Sequence, residues 1–316
     1  MMNEIISAIR GNDNFAILTH INPDGDALGS MLALNTALRA LGKKSTAILL
    51  APVPRKYAMD ELPLDFKMYE PADRGYDCVI SVDCADFGRL GEAKSLFAEK
   101  FSINIDHHTS NNGFGNVSHV AAEPSCGEII YDLIHALGAQ VDKKMAAALY
   151  VAISTDTGNF TYDNTVADTF ERVSALVRTG IPLSRIANRL YNEKSLESTL
   201  LIGKVIGNLR LYFDAQVAIT HITLGDLQDT GASPEDCETV INYARDIDTV
   251  ELAVFIRQLR DKAYKVSFRS KEKVDVLEIA QRFGGGGHVR AAGCSMNGEF
   301  GDLMDSIHAI AKEIFG

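Results

Sequence analysis

From Phe15 onward one rhythm repeats along the chain: a short apolar run rich in β-formers, a polar turn, then a helical pattern. Alternation of this kind folds into a mainly parallel sheet flanked by helices, because a parallel crossover needs a dozen or more residues and a helix fills it. Residues 15–20 read as a strand, NPDGD as a turn, and ALGSMLALNTALRALG as a helix stopped by Gly42. Further β-rich runs follow at KSTAILL, at 77–83 and at 101–106, the last two ending in Asp83 and Asp106. Helical patterns cover 127–138 and 143–158. In an open parallel sheet, ligands bind where the carboxyl ends of strands meet the following loops. His20, Asp83 and Asp106 all stand at such ends.

At 316 residues the chain exceeds what one hydrophobic core usually serves. Two domains are expected, with the active site in the cleft between them: 1–190, a helical linker over 191–212, and a smaller α/β domain over 213–316. Strand patterns at 215–224, 251–259 and 263–270 and helical patterns at 275–284 and the C-terminus support the second domain. No apolar run approaches the roughly 20 residues that span a bilayer, and the N-terminus lacks the apolar core of a signal peptide. A cytoplasmic protein without membrane contact is expected. Five scattered cysteines form no C-x-x-C pair, so neither a zinc knuckle nor a disulfide framework is suggested.

The net charge of −11 argues against a protein that grips a long nucleic-acid duplex. That total hides an asymmetry. From Arg245 to Arg290 ten Lys and Arg stand against seven Asp and Glu, so this stretch is positive in an otherwise acidic chain. If the chain has an anion-binding surface, it is expected there.

Four clusters carry chemistry. His20, Asp24 and Asp26 fall within seven residues around a tight Pro-Asp-Gly turn. The ordinary alternative there is that Asp26 caps the helix beginning at Ala27. Asp83 follows an apolar strand; Asp106, His107 and His108 close another; Asp156 follows an apolar helical stretch. Carboxylates and imidazoles without thiolates suit Mn²⁺ or Mg²⁺ better than structural zinc. A two-cation centre uses such an inventory to activate water and stabilise both oxygens of a phosphoryl transfer.

In this order, H-x-x-x-D-x-D, V-D, D-H-H and S-x-D-T-G resemble motifs I to IV of the DHH phosphoesterases, and GGGGHVRAAG (284–293) resembles the glycine-rich segment of their C-terminal DHHA1 domain. Within the family the likeness is strongest to the short two-domain bacterial nano-RNases. The resemblance implies an N-terminal DHH domain and two divalent ions, Mn²⁺ before Mg²⁺. His20, Asp24 and Asp83 would hold one ion and Asp26, Asp83, His107 and Asp156 the other, with Asp83 bridging. It implies that His108 stands by the bridging water or leaving group and that Asp106 orients the imidazoles. It also implies that His288, with Gly285, Gly286 and Gly287, binds a substrate phosphate, with Arg269 as a second clamp. Arg257, Arg260 and Arg290 are weaker candidates.

The implied substrates are short single-stranded RNA or DNA oligonucleotides, hydrolysed 3′ to 5′, and 3′-phosphoadenosine 5′-phosphate, with no long duplex. Pairing of two copies is left open. A cyclic-dinucleotide or pApA phosphodiesterase has the same build, and a non-catalytic nucleotide sensor is the reading from another class. Tyr162 and Phe160, after the fourth cluster, are open to either base stacking or core packing.

Overall fold

The computed structural model describes residues 2–316, which divide into two compact units, one ending at Glu193 and one spanning Lys194–Gly316. The first contains α1 (Met2–Gly11), β1 (Asn14–Leu18), α2 (Gly25–Ala40), β2 (Lys44–Leu49), β3 (Phe66–Met68) and β4 (Cys78–Val82). It continues through α3 (Lys94–Glu99), β5 (Phe101–Asp106), β6 (Val117–Val120), α4 (Cys126–Leu137), α5 (Lys143–Asp156), α6 (Ala167–Arg178) and α7 (Leu183–Ala187). Its six strands lie in the order β3-β2-β1-β4-β5-β6, and every pairing is parallel.

Both faces of this sheet are covered, which explains why its central strands read as continuous apolar runs. Alternate residues of β1 serve opposite faces: Phe15 and Ile17 join the core formed with α2, α4 and α5, while Ala16 and Leu18 pack with Leu96 and Phe97 of α3. The chain order reverses direction across the sheet between β1 and β4. That switch point opens a crevice at the carboxyl ends of the strands.

Helix α2 is buried on nearly every side, so its small residues matter. A Cβ on Gly29 would lie 2.3 Å from the Ala148 carbonyl oxygen and 2.8 Å from Ala152 Cβ, and one on Gly127 would lie 2.5 Å from the same Ala152. Glycine thus lets α2, α4 and α5 approach backbone to backbone. The N-terminus of α2, the N-terminus of α4 and the C-terminus of α5 are thereby gathered to one place.

The second unit contains α8 (Leu196–Gly207), β7 (Arg210–Tyr212), β8 (Val217–Ile222), α9 (Leu224–Thr230), α10 (Asn242–Arg245), β9 (Leu252–Arg260) and β10 (Ala263–Ser270), then α11 (Val276–Arg282), β11 (Gly286–His288), β12 (Ala291–Asn297) and α12 (Phe300–Phe315). Its sheet runs β11-β12-β10-β9-β8-β7 and is mixed, with only β8 and β9 parallel. Within the stretch expected as a linker, Leu201 and Val205 of α8 are fully buried against Ala218, Ile222 and Phe255 of this unit. No described helix is long and apolar enough to cross a membrane.

Candidate metal centre

Local folding delivers each side chain to the switch point. His20 lies two residues beyond β1 and is buried. Asp24, not Asp26, is the N-cap of α2: its Oδ1 accepts from Ala27 N at 3.1 Å, which corrects the capping role considered for Asp26. Asp26 is instead carried inward on the first turn of α2, where Oδ2 accepts from Cys126 N at 2.6 Å and Oδ1 from Gly127 N at 2.8 Å. These are the first amides of α4, so a helix N-terminus holds the carboxylate through its orphan donors and its dipole. Asp83 follows β4 with φ +51°, a backbone state sparsely used outside glycine but tolerated by Asp, and it is 2% exposed. Asp156 is the last residue of α5.

Three overlapping groups of potential ligands result: His20 with Asp24 and Asp83; Asp26 with His107 and Asp156; and Asp83 with His107 and His108. His107 Nε2 lies 3.5 Å from Asp83 Oδ1, 3.7 Å from Asp26 Oδ2 and 3.4 Å from Asp156 Oδ2. His20 Nε2 lies 4.0 Å from Asp24 Oδ1 and 3.9 Å from Asp83 Oδ2. Most of these gaps exceed hydrogen-bond length. Donors that share a cation at about 2.0–2.2 Å each stand roughly 3–4 Å apart, which is the spacing found. Asp83 Oδ1 and His20 Nδ1 are buried with no hydrogen-bond partner, an expensive condition unless something else meets the charge. The residues therefore fit a hard divalent cation, in donor type and in what they leave unsatisfied.

The outer contacts fix the rings. His107 Nδ1 donates to the Glu123 carbonyl at 3.1 Å, leaving the Nε2 lone pair for the carboxylates' side of the ring. His108 Nδ1 is 2.8 Å from Asp106 Oδ1, and Asn111 Nδ2 donates to Asp106 Oδ2 at 2.7 Å. Burial pushes the Asp106 carboxyl up, but the bonds from His108 and Asn111 outweigh it and hold it below its usual range. The same bond lifts His108. Burial, then repulsion from Asp83 and Asp156, drives Asp26 well above the carboxylate range. Burial likewise carries Asp156 to about 6. For His107 burial acts downward, and the carboxylates of Asp83, Asp26 and Asp156 overcome it to reach about 10. Without a cation this cluster can keep its acids only by taking up protons.

In the second unit the phosphate-binding candidates are more heterogeneous. His288 is exposed in β11, beside Gly286 and Gly287, and Arg269 is half-buried near the end of β10. The four glycines do not offer four free amides: Gly284 N is bonded to Gln281 O and Gly285 N to Ala280 O, so Gly285 is withdrawn as an N–H donor to substrate. Gly285 and Gly287 are needed sterically, because a Cβ on Gly285 would lie 2.2 Å from Gly293 O and one on Gly287 2.5 Å from Ala291 O. Arg290 is already partly engaged within its own unit, its guanidinium donating to the carbonyls of Val274, at 2.8 Å, and Glu272.

The description "DHH family, N-terminal domain" matches residues 14–153, and "DHHA1 domain" matches 214–315. The bifunctional oligoribonuclease and PAP phosphatase NrnA of Thermus thermophilus is 32% identical over 302 residues, covering 94% of this chain and 88% of that protein. The chain belongs to the DHH family. Among solved structures, an exopolyphosphatase-related protein of Bacteroides fragilis superposes with a TM-score of 0.90 at 25% identity, covering 99% of this chain and 95% of that one. The exonuclease RecJ bound to manganese shares the fold, with a TM-score of 0.53 at 15% identity over 94% of this chain and 90% of its own.

Set against the DHH motifs, sequence reasoning missed the outer contacts. Asn111 binds Asp106, Asn104 and the Cys84 carbonyl from a loop without periodicity. The amides of Cys126 and Gly127 carry no side-chain signal at all. The Gly25 and Gly29 spacing on α2 was a signal available in the sequence, since both face α5, where a Cβ on Gly25 would lie 2.4 Å from Thr155 Oγ1.

Proposed function

We propose that this DHH protein hydrolyses short oligonucleotides from the 3′ end and converts 3′-phosphoadenosine 5′-phosphate to AMP, using two divalent cations, Mn²⁺ foremost. The chain is a hydrolase of phosphate esters, as its family and its likeness to the Thermus enzyme support. The observation that carries the reading is the overlap of the ligand groups at Asp83 and His107. One cation belongs with His20, Asp24 and Asp83, and the other with Asp26, Asp83, His107 and Asp156. Bound there, the cations supply charge stabilisation for a phosphoryl group and a lowered pKa for water. His108, made more basic by Asp106, holds a proton on Nε2 for the departing oxygen, while Asp106 keeps the ring's tautomer. His288 binds a substrate phosphate and Arg269 is a second clamp, through bidentate hydrogen bonding.

Initial rates with Mn²⁺ on an RNA dinucleotide, a five-nucleotide RNA, adenosine 3′,5′-bisphosphate, cyclic di-AMP and pyrophosphate, each with an EDTA control, test this directly. Metal-dependent turnover of the short RNAs and the bisphosphate is expected. Preference for cyclic di-AMP would move the protein to the phosphodiesterase branch, and no turnover of any substrate would leave a nucleotide sensor.

A further inference from the structure

The segment immediately after Asp156 is built in an unusual way. Gly158, Asn159 and Phe160 have φ of +56°, +57° and +65°, three consecutive left-handed residues of which two are not glycine. Such a run costs free energy and persists only where its surroundings over-determine it. They do so here. Asn159 N bonds to Ser154 O at 2.7 Å, Thr161 N and Tyr162 N both bond to Thr157 O, and Asn164 Nδ2 ties the Asp156 carbonyl to that of Pro124.

The turn has a clear effect on its two aromatic residues. Phe160 is sent inward, its ring 6.2 Å from that of Tyr150 and 5.6 Å from that of Phe170. Tyr162 is sent outward and is 57% exposed. Its ring lies flush on Gly158, where a Cβ would come within 2.3 Å of a ring carbon, so glycine is required for the ring to lie there. Its hydroxyl makes no hydrogen bond and its ring no aromatic contact among the described residues. A strained, pinned turn thus presents one bare aromatic ring, and Tyr162 N is bonded to the residue next to Asp156.

We propose that Tyr162 is a stacking platform for a nucleobase of the substrate. This rests on the reading of the protein as a nucleotide phosphoesterase and adds to it the element that recognises the base rather than the phosphate. Every base has a π-face, so an aromatic platform accepts any sequence, as an enzyme of short mixed oligonucleotides requires. One side of the Tyr162 ring is backed by Gly158, and more than half of the residue is exposed and can receive a base.

The test compares kcat/KM for adenosine 3′,5′-bisphosphate with that for the same sugar bisphosphate lacking the base, in the full-length wild type, Tyr162→Ala and Tyr162→Phe. The preference for the base-bearing compound should fall about tenfold in Tyr162→Ala and return in Tyr162→Phe. An unchanged preference in Tyr162→Ala overturns the proposal. Calorimetric binding of AMP, which needs no turnover, separates the two readings. AMP affinity lost in Tyr162→Ala supports the platform even if the wild type hydrolyses neither bisphosphate, an outcome that would count against the hydrolytic reading alone. AMP affinity unchanged in Tyr162→Ala removes the platform.

Discussion

Each unit buries carboxylates, and Glu251 in one and Asp83 in the other are treated differently. In the C-terminal unit Glu251 is 8% exposed and accepts from three successive amides, Glu272 N, Lys273 N and Val274 N, at 3.0, 2.6 and 3.0 Å. In the N-terminal unit Asp83 is 2% exposed and its Oδ1 has no donor, with the nearest imidazole nitrogens 3.5 and 3.7 Å away. Neighbouring acids aggravate its position. Glu251, which holds a loop together, is surrounded by donors, whereas Asp83 is left short of them. Glu251 completes the loop that follows β10, whereas Asp83 is completed only by something that binds.

Removing each charge is the strongest way to break that contrast. Asp83→Asn, with Asn also tolerant of the left-handed backbone, should lower turnover about a thousandfold or more, equivalent to about 4 kcal/mol of transition-state stabilisation. In EDTA the same variant should melt no lower than wild type, because a like charge has left a crowded acidic site. Glu251→Gln should do the reverse, lowering stability by about 1–3 kcal/mol as three amides lose their charged acceptor, with turnover retained in the folded fraction. Melting curves in EDTA together with Mn²⁺-dependent rates measure both. If Asp83→Asn destabilises the metal-free chain as much as Glu251→Gln does, the distinction fails.

Acidity sharpens the same point. At pH 7 the metal-free site carries a proton on His107, raised to about 10, while Asp156 at about 6 is mostly ionised and Asp26 is driven well above the usual carboxylate range by burial. Cation binding needs these groups deprotonated, so it should release at least one proton at pH 7, and affinity should climb about tenfold per pH unit for each proton released. Calorimetry of Mn²⁺ binding in buffers of differing ionisation heat counts the protons, and a count of zero would contradict the charge arrangement described. For the metal-free chain the sign follows from His107 being raised above its ordinary 6.5 and Asp26 and Asp156 being raised as well. Their stabilisation is present at low pH and is lost as pH rises through about 6 toward 10.

Helix packing shows the contrast at the level of glycine. Gly29→Ala forces a methyl against the Ala148 carbonyl at 2.3 Å and should cost about 1–3 kcal/mol, displacing the α2 N-terminus and with it Asp24 and Asp26. A Cβ on Gly286 meets nothing within 4 Å, so Gly286→Ala should stay within about 0.5 kcal/mol of wild type. Denaturant midpoints compare the two, and equal shifts would remove the claim that close helix approach builds the first site.

How much of this was legible in the sequence depends on where the information lies. Strands with both faces buried announce themselves as apolar runs, and the ligands His20, Asp83 and His107 follow those runs directly, so the α/β fold and the convergence of acids could be read in advance. What decides the caps and partners is three-dimensional. Nothing local tells that Asp24 and not Asp26 caps α2, since the amides that claim Asp26 lie a hundred residues away. Four glycines and an arginine look like an anion site from their composition. Only the pairing of β11 with β12 and the bonds from Arg290 to its own unit reveal how much of that polarity is already committed.

That last distinction yields the mildest prediction. Arg269 and Arg290 lie in the same positive stretch, and by composition they are equivalent. By structure Arg290 braces the carbonyls of Glu272 and Val274 on the loop whose amides Glu251 holds, so the loop is gripped from both its donors and its acceptors. Arg290→Ala should therefore cost about 1 kcal/mol of stability, since water replaces part of what is lost at an exposed position. Its effect on KM should be small and should vanish at high enzyme stability, for instance at low temperature. Arg269→Ala should raise KM for the bisphosphate several-fold with kcat little changed, the pattern of a lost binding contact. Adding salt should narrow the KM difference for Arg269→Ala, because a screened charge has less to lose. If the two variants exchange these behaviours, Arg290 is the ligand of the phosphate and Arg269 the brace.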